Sequence, residues 1–479
     1  MNETILTWLI FILAFGGMVL VHEFGHFIAA RLSRVEVEEF GVGLPTPGAL
    51  TLWSNKGFLL LKSGKRIEIP FNFRMPLNWN YLIEREVKIT VDQVRDHLVM
   101  RSIEVDIVEE QERPAARSQE LNHVYVDRNG KVIPAQETEA ETSHKTIRAG
   151  KTSGAMELTD TVREVHPGTR FTLNWLPFGG FVRPKGENDP NVPGGLAAAS
   201  PWKRLFVLSA GPLMNLLTAV LIYSFIVTRA GVPTPEHIAI TDIVENSPAA
   251  EAGIQVGDIL LEGNGQTIRG YEDLRGIIDP SEGTPVVFLV DRNSEQIELT
   301  VIPRRSETDQ RVVIGVYFAE QYIYQPVASP IQAVQFGTRA TYNSMRALIA
   351  LPAQLLRGSL PAEQSRLIGL KGIYDIMKQT VAKDVEASRL PAPPNPFDQM
   401  RTLGIVASLS ISLGLFNLFP FPALDGGRII FILPELIFRR RVSPQLENMV
   451  HAAGMAFLLL LMIYINVMDF INPINITIP

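Results

Sequence analysis

From Ile5 to Val21 the chain carries no charged side chain, and this apolar run leads straight into His22-Glu23-Phe24-Gly25-His26. Three other stretches repeat the theme, so that segments near 5–27, 204–228, 402–421 and 453–470 each approach the roughly 20 apolar residues a helix needs to cross a bilayer. The pattern predicts a polytopic α-helical membrane protein with about four transmembrane helices. Basic residues mark the ends of these segments unevenly. Arg31 and Arg34 follow the first, Lys203 and Arg204 open the second, and Arg428 with Arg439 to Arg441 lie between the third and fourth. Because Lys and Arg collect on the cytoplasmic side, both termini should be extracytoplasmic and the end of the first helix, with His22 and His26, should face the cytoplasm.

The connections differ in grammar. Region 32–203 should be cytoplasmic or lie at the membrane surface, with glycine-broken strands near 37–43 and 171–182 at its two ends. Between them, about 50–168 alternates charged and β-branched residues, as in Lys88-Ile89-Thr90-Val91, and reads as a soluble β-rich insertion whose stretch 135–152 is a polar link. Residues 231–305 change to helix, turn and strand signals around Ala249 to Leu260, a turn at Gly263-Asn264-Gly265, and a helix near Tyr271 to Ile278. This segment resembles a PDZ domain, a small α+β module that binds extended peptide at a sheet edge, and its position predicts an extracytoplasmic location. Residues 306–400 read as amphipathic helices, too polar to span, followed by a proline-rich linker at 390–396.

Composition narrows the chemistry. Of 479 residues 46% are hydrophobic, which suits a few spans joined to soluble modules, and the net charge of -6 gives no reason to expect nucleic acid as a partner. The absence of cysteine excludes disulfides, thiolate metal sites and a thiol nucleophile. The first apolar run lacks a basic flank before it and a small-residue cleavage site after it, so it reads as a retained helix.

His22 and His26 are four apart and share one helical face, where both rings can hold one metal, while Glu23 is placed to take a proton from an attacking water. Ionisable groups at membrane depth are expensive and are seldom kept without a role. A carboxylate, Asp425, stands at the same membrane level in Asn417-Leu418-Phe419-Pro420-Phe421-Pro422-Ala423-Leu424-Asp425-Gly426-Gly427 and would complete three ligands, with His451 as the rival third. Asn215, beside the small residues Ser209-Ala210-Gly211, either bonds a neighbouring helix or serves the site. His97, His123, His144 and His166 are scattered and read as surface residues.

The two motifs, the PDZ-like segment between them and the four-span plan resemble the site-2 protease family of intramembrane zinc metalloproteases, and within it the bacterial regulator-of-sigma-E protease group. The likeness covers residues 1–45, 170–330 and 400–479. It implies Zn2+ on His22, His26 and Asp425, Glu23 as catalytic base, and Asn417 helping to hold substrate or the developing oxyanion. It also implies residence in the bacterial cytoplasmic membrane and contact with lipid. Partners would be single-span transmembrane substrates, such as an anti-sigma factor or signal-peptide remnants, cut in regulated intramembrane proteolysis. The chain departs from the pattern in its long 50–168 insertion and in showing one PDZ-like unit where some relatives have two. A PDZ-bearing scaffold with a vestigial metal site and a metal transporter are the alternatives; the complete His/Glu/His/Asp set speaks against the first and the small number of spans against the second.

The arginine distribution is directly testable, because the chain has no cysteine of its own. In intact cells Gly265→Cys should react with an impermeant thiol reagent and Ser443→Cys should not; the reverse labelling would invert the topology.

Overall fold

The computed structural model describes residues 3–46, 48–73, 82–94, 96–106, 123–126, 132–134, 155–306, 311–356, 367–389 and 396–472. The link expected at 135–152, His144 and the linker residues 390–395 lie outside these.

Apolar backbone in a bilayer must satisfy its own N–H and C=O groups, and helix α1 (Glu3–Leu32) does so through and beyond the His-Glu-His segment. The chain reverses through Arg34, in the left-handed region at φ 59°, and enters a strand region. Strands β1 (Val37–Leu44) and β2 (Leu50–Ser54) open it. Next come β3 (Gly57–Leu61), β4 (Arg66–Ile69), β5 (Glu86–Val94), β6 (His97–Asp106), β7 (His123–Val126), β8 (Val132–Pro134) and β9 (Ala155–His166). The region closes with β10 (Arg170–Leu173) and β11 (Leu176–Pro184), and α2 (Pro201–Ala230) follows.

These strands form two separate sheets. The first has order β11-β1-β10-β2 and lies along α1, where β11 presents Gly179 and Gly180 to Val19 and Leu20. A Cβ at Gly179 would press into Val19, so the strand reaches the helix only because that position is bare. In the second sheet the order β4-β3-β9-β5-β6 is completed by a parallel pairing of β4 with β6, which closes a five-stranded barrel; β7 and β8 extend from β6. Leu59, Leu61, Ile67, Ile89, Val91 and Val162 alternate inward and fill it. The insertion expected at about 50–168 is therefore bounded more narrowly, because β2 belongs to the first sheet.

The barrel joins the rest through two neighbouring strands, with Phe58 opposite His166. His166 is not the surface residue its surroundings in the chain suggested: its side chain is 14% exposed, and its ring nitrogens bond Glu36 and Glu164. Lys185, itself buried, donates to Glu36 at 3.1 Å and to the Val165 carbonyl at 2.5 Å. Burial works against the charge on Glu36, but the His166 ring and the Lys185 ammonium outweigh it and hold that carboxyl below its ordinary range. His97, in contrast, is exposed beside Glu68.

A second compact unit comprises Val220–Tyr342 and Lys383–Gly404. Its elements are β12 (Val232–Ile243), α3 (Pro248–Glu251), β13 (Ile259–Gly263), β14 (Gln266–Thr267), α4 (Tyr271–Ile278), β15 (Val286–Arg292), β16 (Glu295–Val301), β17 (Arg304–Arg305), β18 (Val312–Val313) and β19 (Val316–Gln325). The sheet order is β16-β15-β13-β12-β19, with β14 on β13, around a core that includes Ile238, Leu260, Leu274 and Phe288. The unit does not stop at 305. β19 pairs with β12 from Val316 to Gln325, and Val312 and Ile314 are buried in the same core. The charged run Arg304 to Arg311 disguises this in the sequence, because it looks like an exit from the domain.

The remaining helices are α5 (Pro330–Leu356), α6 (Leu370–Ser388), α7 (Arg401–Leu418), α8 (Asp425–Phe438) and α9 (Pro444–Ile471). Among the described residues α1, α2, α7 and α9 are long and apolar enough to cross a membrane. The polar helix α6 is docked rather than free: Asp469 of α9, 1% exposed, accepts from Gly369 N at 2.8 Å and Gly372 N at 3.0 Å, a carboxylate on a helix N-terminus. Tyr374 of α6 stacks on Trp8 of α1 at 4.4 Å. Helix α8 has no counterpart in the sequence reading, which leaves 422–452 as a break between the third and fourth spans.

Because the barrel enters and leaves on paired strands, residues 59–165 should be replaceable by an Asn-Gly turn without harm to the helices; loss of membrane insertion or of helix content on circular dichroism would contradict this. In the intact chain Leu59→Ala, at 0% exposure, should destabilise the barrel by about 2–5 kcal/mol in pulse proteolysis.

Candidate metal centre

Helical spacing puts His22 and His26 on one face of α1, with ring centroids 4.8 Å apart and both residues buried. That face meets α2 at very short range. A Cβ on Gly25 would run into the Ala210 carbonyl, and one on Gly211 would collide with the His26 ring. The small residues at 209–211 therefore do what their size suggested: they let α2 close over the two histidines.

The third donor arrives from α8. Helix α7 ends at Leu418 because Pro420 and Pro422 cannot continue it, and the chain turns through Ala423 at φ 78° before Asp425 opens α8. Asp425 Oδ2 then lies 3.1 Å from His22 Nε2 and 3.3 Å from His26 Nε2, and the two nitrogens are 3.2 Å apart. Ligands held at about 2.0–2.1 Å in a tetrahedron stand about 3.3 Å from one another, so this triangle has the size of one tetrahedral face around zinc. The fourth corner is the position a catalytic site leaves for water or substrate.

The outer nitrogens support the same geometry. His26 Nδ1 donates to the Val207 carbonyl at 2.8 Å, the tautomer in which a neutral ring turns its Nε2 lone pair toward the cluster. His22 Nδ1 is 3.2 Å from the side-chain amide of Asn215, a residue with 0% exposure. The Asn215 side-chain oxygen has no partner among the described residues, and a half-turn of the amide lets it accept from Nδ1–H when Nε2 binds metal. Ser410 of α7 donates to the Asn215 backbone carbonyl at 2.9 Å and ties that residue to a third helix.

Glu23, one residue round the helix from His22, is outside this donor group. Its Oε2 accepts from Val182 N at 3.0 Å, so strand β11 aims the carboxylate. Asn417 is not drawn into the cluster: its side-chain amide donates to Leu413 of its own helix at 3.0 Å. Nor is His451 a third ligand. Its Nδ1 accepts from Ala423 N at 2.8 Å, which turns that lone pair onto the turn before Asp425. The roles of Val182 N and Val207 O left no trace in the sequence, since a backbone group can be supplied by any residue type.

A helix-borne His-Glu-His set facing an aspartate, on apolar helices, is the arrangement of a membrane metalloprotease. The chain belongs to peptidase family M50, whose profile matches residues 10–58 and 158–461 and so passes over most of the barrel. It is similar to the zinc metalloprotease RasP of Oceanobacillus iheyensis, 27% identical over 95% of this chain and 96% of the relative, and to that of Geobacillus kaustophilus, 27% identical over 97% and 98%. The regulator of sigma-W protease RasP of Bacillus subtilis is 28% identical over 55% of this chain and 58% of its own. A solved PDZ domain from Listeria innocua covers 18% of this chain and 97% of its own at 19% identity and a TM-score of 0.17. The chain is a zinc metalloprotease of this family.

If Asn215 orients His22, Asn215→Ala should weaken zinc binding by about 10–100-fold in chelator competition, the usual effect of losing an outer-sphere partner. Unchanged affinity would reduce Asn215 to a helix contact.

Proposed function

We propose that this protein is an intramembrane endopeptidase that cuts single-span membrane proteins within or near the bilayer, with His22, His26 and Asp425 holding Zn2+ and Glu23 as the general base. The observation that carries the proposal is the tetrahedron-sized triangle of His22 and His26, on the spanning-length helix α1, with Asp425 at the start of α8. A scaffold with a vestigial site has no need to keep that spacing or the two partners on the outer histidine nitrogens.

The bound ion would act as a Lewis acid on the scissile carbonyl and make a neighbouring water more acidic. Glu23 accepts the proton from the attacking water and passes it to the leaving amine. The Val182 N–H restrains the carboxylate, so that it need not be ordered anew at each turnover. Asn417 remains the residue offered to substrate or the developing oxyanion. Asn215, already engaged with His22, is better suited to orienting that ring.

The bacterial relatives support a protein of the cytoplasmic membrane, and the arginine distribution supports both termini outside with the site toward the cytoplasm. The name of the Bacillus subtilis relative, a regulator of sigma-W protease, supports a substrate of the anti-sigma-factor kind; signal-peptide remnants share the same single-span character.

Glu23→Gln keeps size and helix propensity but cannot accept a proton. The variant should purify with zinc and bind substrate, and cleavage should fall by about 10²–10⁴-fold. His22→Ala and Asp425→Ala should lose both zinc and activity. A Glu23→Gln protein that cleaves at close to the parent rate would remove Glu23 from the mechanism.

A further inference from the structure

The carboxylate of Asp425 depends on a turn that the backbone does not favour. Ala423 sits at φ 78°, in the left-handed region that a residue with a Cβ keeps only when its surroundings hold it there. Two residues of α9, three apart and so on one face of that helix, supply the hold. His451 Nδ1 accepts the Ala423 N–H at 2.8 Å. Gly454 lets Pro422 rest against the helix backbone, where a Cβ would strike the proline ring. The His451 ring is kept in place from α8 by Phe431, with centroids 5.5 Å apart. On the far side of the turn Gly426 and Gly427 lie against the carbonyls of Leu418, Phe419 and Phe421, so the loop is gripped from both ends.

We infer that His451 is a positioning residue: it fixes the Pro422-Ala423 turn and thereby sets Asp425 on the histidine pair. To accept from Ala423 the ring must carry its proton on Nε2, so its acceptor nitrogen is committed to the turn and not to a metal. A ligand role and a packing role for His451 make different predictions from this one. A ligand would need the imidazole itself, and a packing residue would need only the ring. A positioning residue needs an acceptor at the place of Nδ1, which the Oδ1 of asparagine can supply and phenylalanine cannot.

The inference rests on Asp425 being a zinc ligand, and the test separates the two. Full-length protein in detergent, stripped of metal, is compared as parent, His451→Phe, His451→Asn and Asp425→Ala. Amide exchange of the segment 419–427 is followed without metal, and zinc affinity by chelator competition. In His451→Phe the segment should exchange faster and zinc affinity should drop by about 10–100-fold, as for other outer-sphere losses. His451→Asn should bring both close to the parent values. The inference is overturned if His451→Phe binds zinc and exchanges like the parent, or if His451→Asn is as impaired as His451→Phe. Should His451→Phe fail to fold, His451→Asn decides alone: parent-like exchange and affinity support the inference, and loss of both overturns it. If Asp425→Ala binds zinc as the parent does, the metal assignment fails, while exchange in the metal-free variants still reads the hold on the turn.

Discussion

The arrangement of the helices depends on bringing two imidazoles and a carboxylate to about 3.2 Å from one another inside apolar surroundings. Such groups are costly to remove from water and cannot be left without partners. Each is accordingly tied to the surrounding fold: His26 and His22 to α2, through the Val207 carbonyl and Asn215, and Asp425 to a turn held from α9. The bare positions Gly25, Gly211 and Gly454 follow from this demand, because ordinary side chains there would keep the helix backbones too far apart for the donors to meet.

The sheet that lies along α1 has a specific task in the same economy. In the proposed mechanism a carboxylate next to the two histidines must stay off the metal and still point at the reacting water. Strand β11 meets both needs by passing the helix at Gly179 and Gly180 and offering Val182 N to Glu23. The barrel contributes nothing to that geometry. It is closed on itself, filled by its own apolar residues, and enters and leaves on adjacent strands, so the family pattern can run on either side of it. What binds it to the first sheet is the polar cluster of Glu36, His166, Lys185 and Glu164.

Much of this was legible in the residue order because it rests on local periodicity. Apolar length marks the four helices, a spacing of four places His22 and His26 on one face, and paired prolines stop α7 before Asp425. Each of these is decided by atoms within a few residues of one another. The resemblance to the site-2 proteases rested on the same local motifs, and the M50 match bears it out.

Other features were decided only by tertiary structure, since they depend on partners far away in the chain. The sequence favours Asp425 as the third donor and leaves His451 as a rival; that Asp425 is the one that reaches the histidines depends on α9 lying against the turn, where His451 is used up on Ala423. His166 reads as a surface residue until β9 brings it beside Glu36. The sheet of the second unit is completed by β19 because Val316 to Gln325 pairs with β12, across a charged run that locally reads as an end. Barrel closure likewise needs β4 and β6 side by side, and parallel pairing has no short-range signature. Periodicity within one element is written in the sequence, whereas the choice among possible partners is settled by which close contacts the bare glycines, the turns and the strand registers allow.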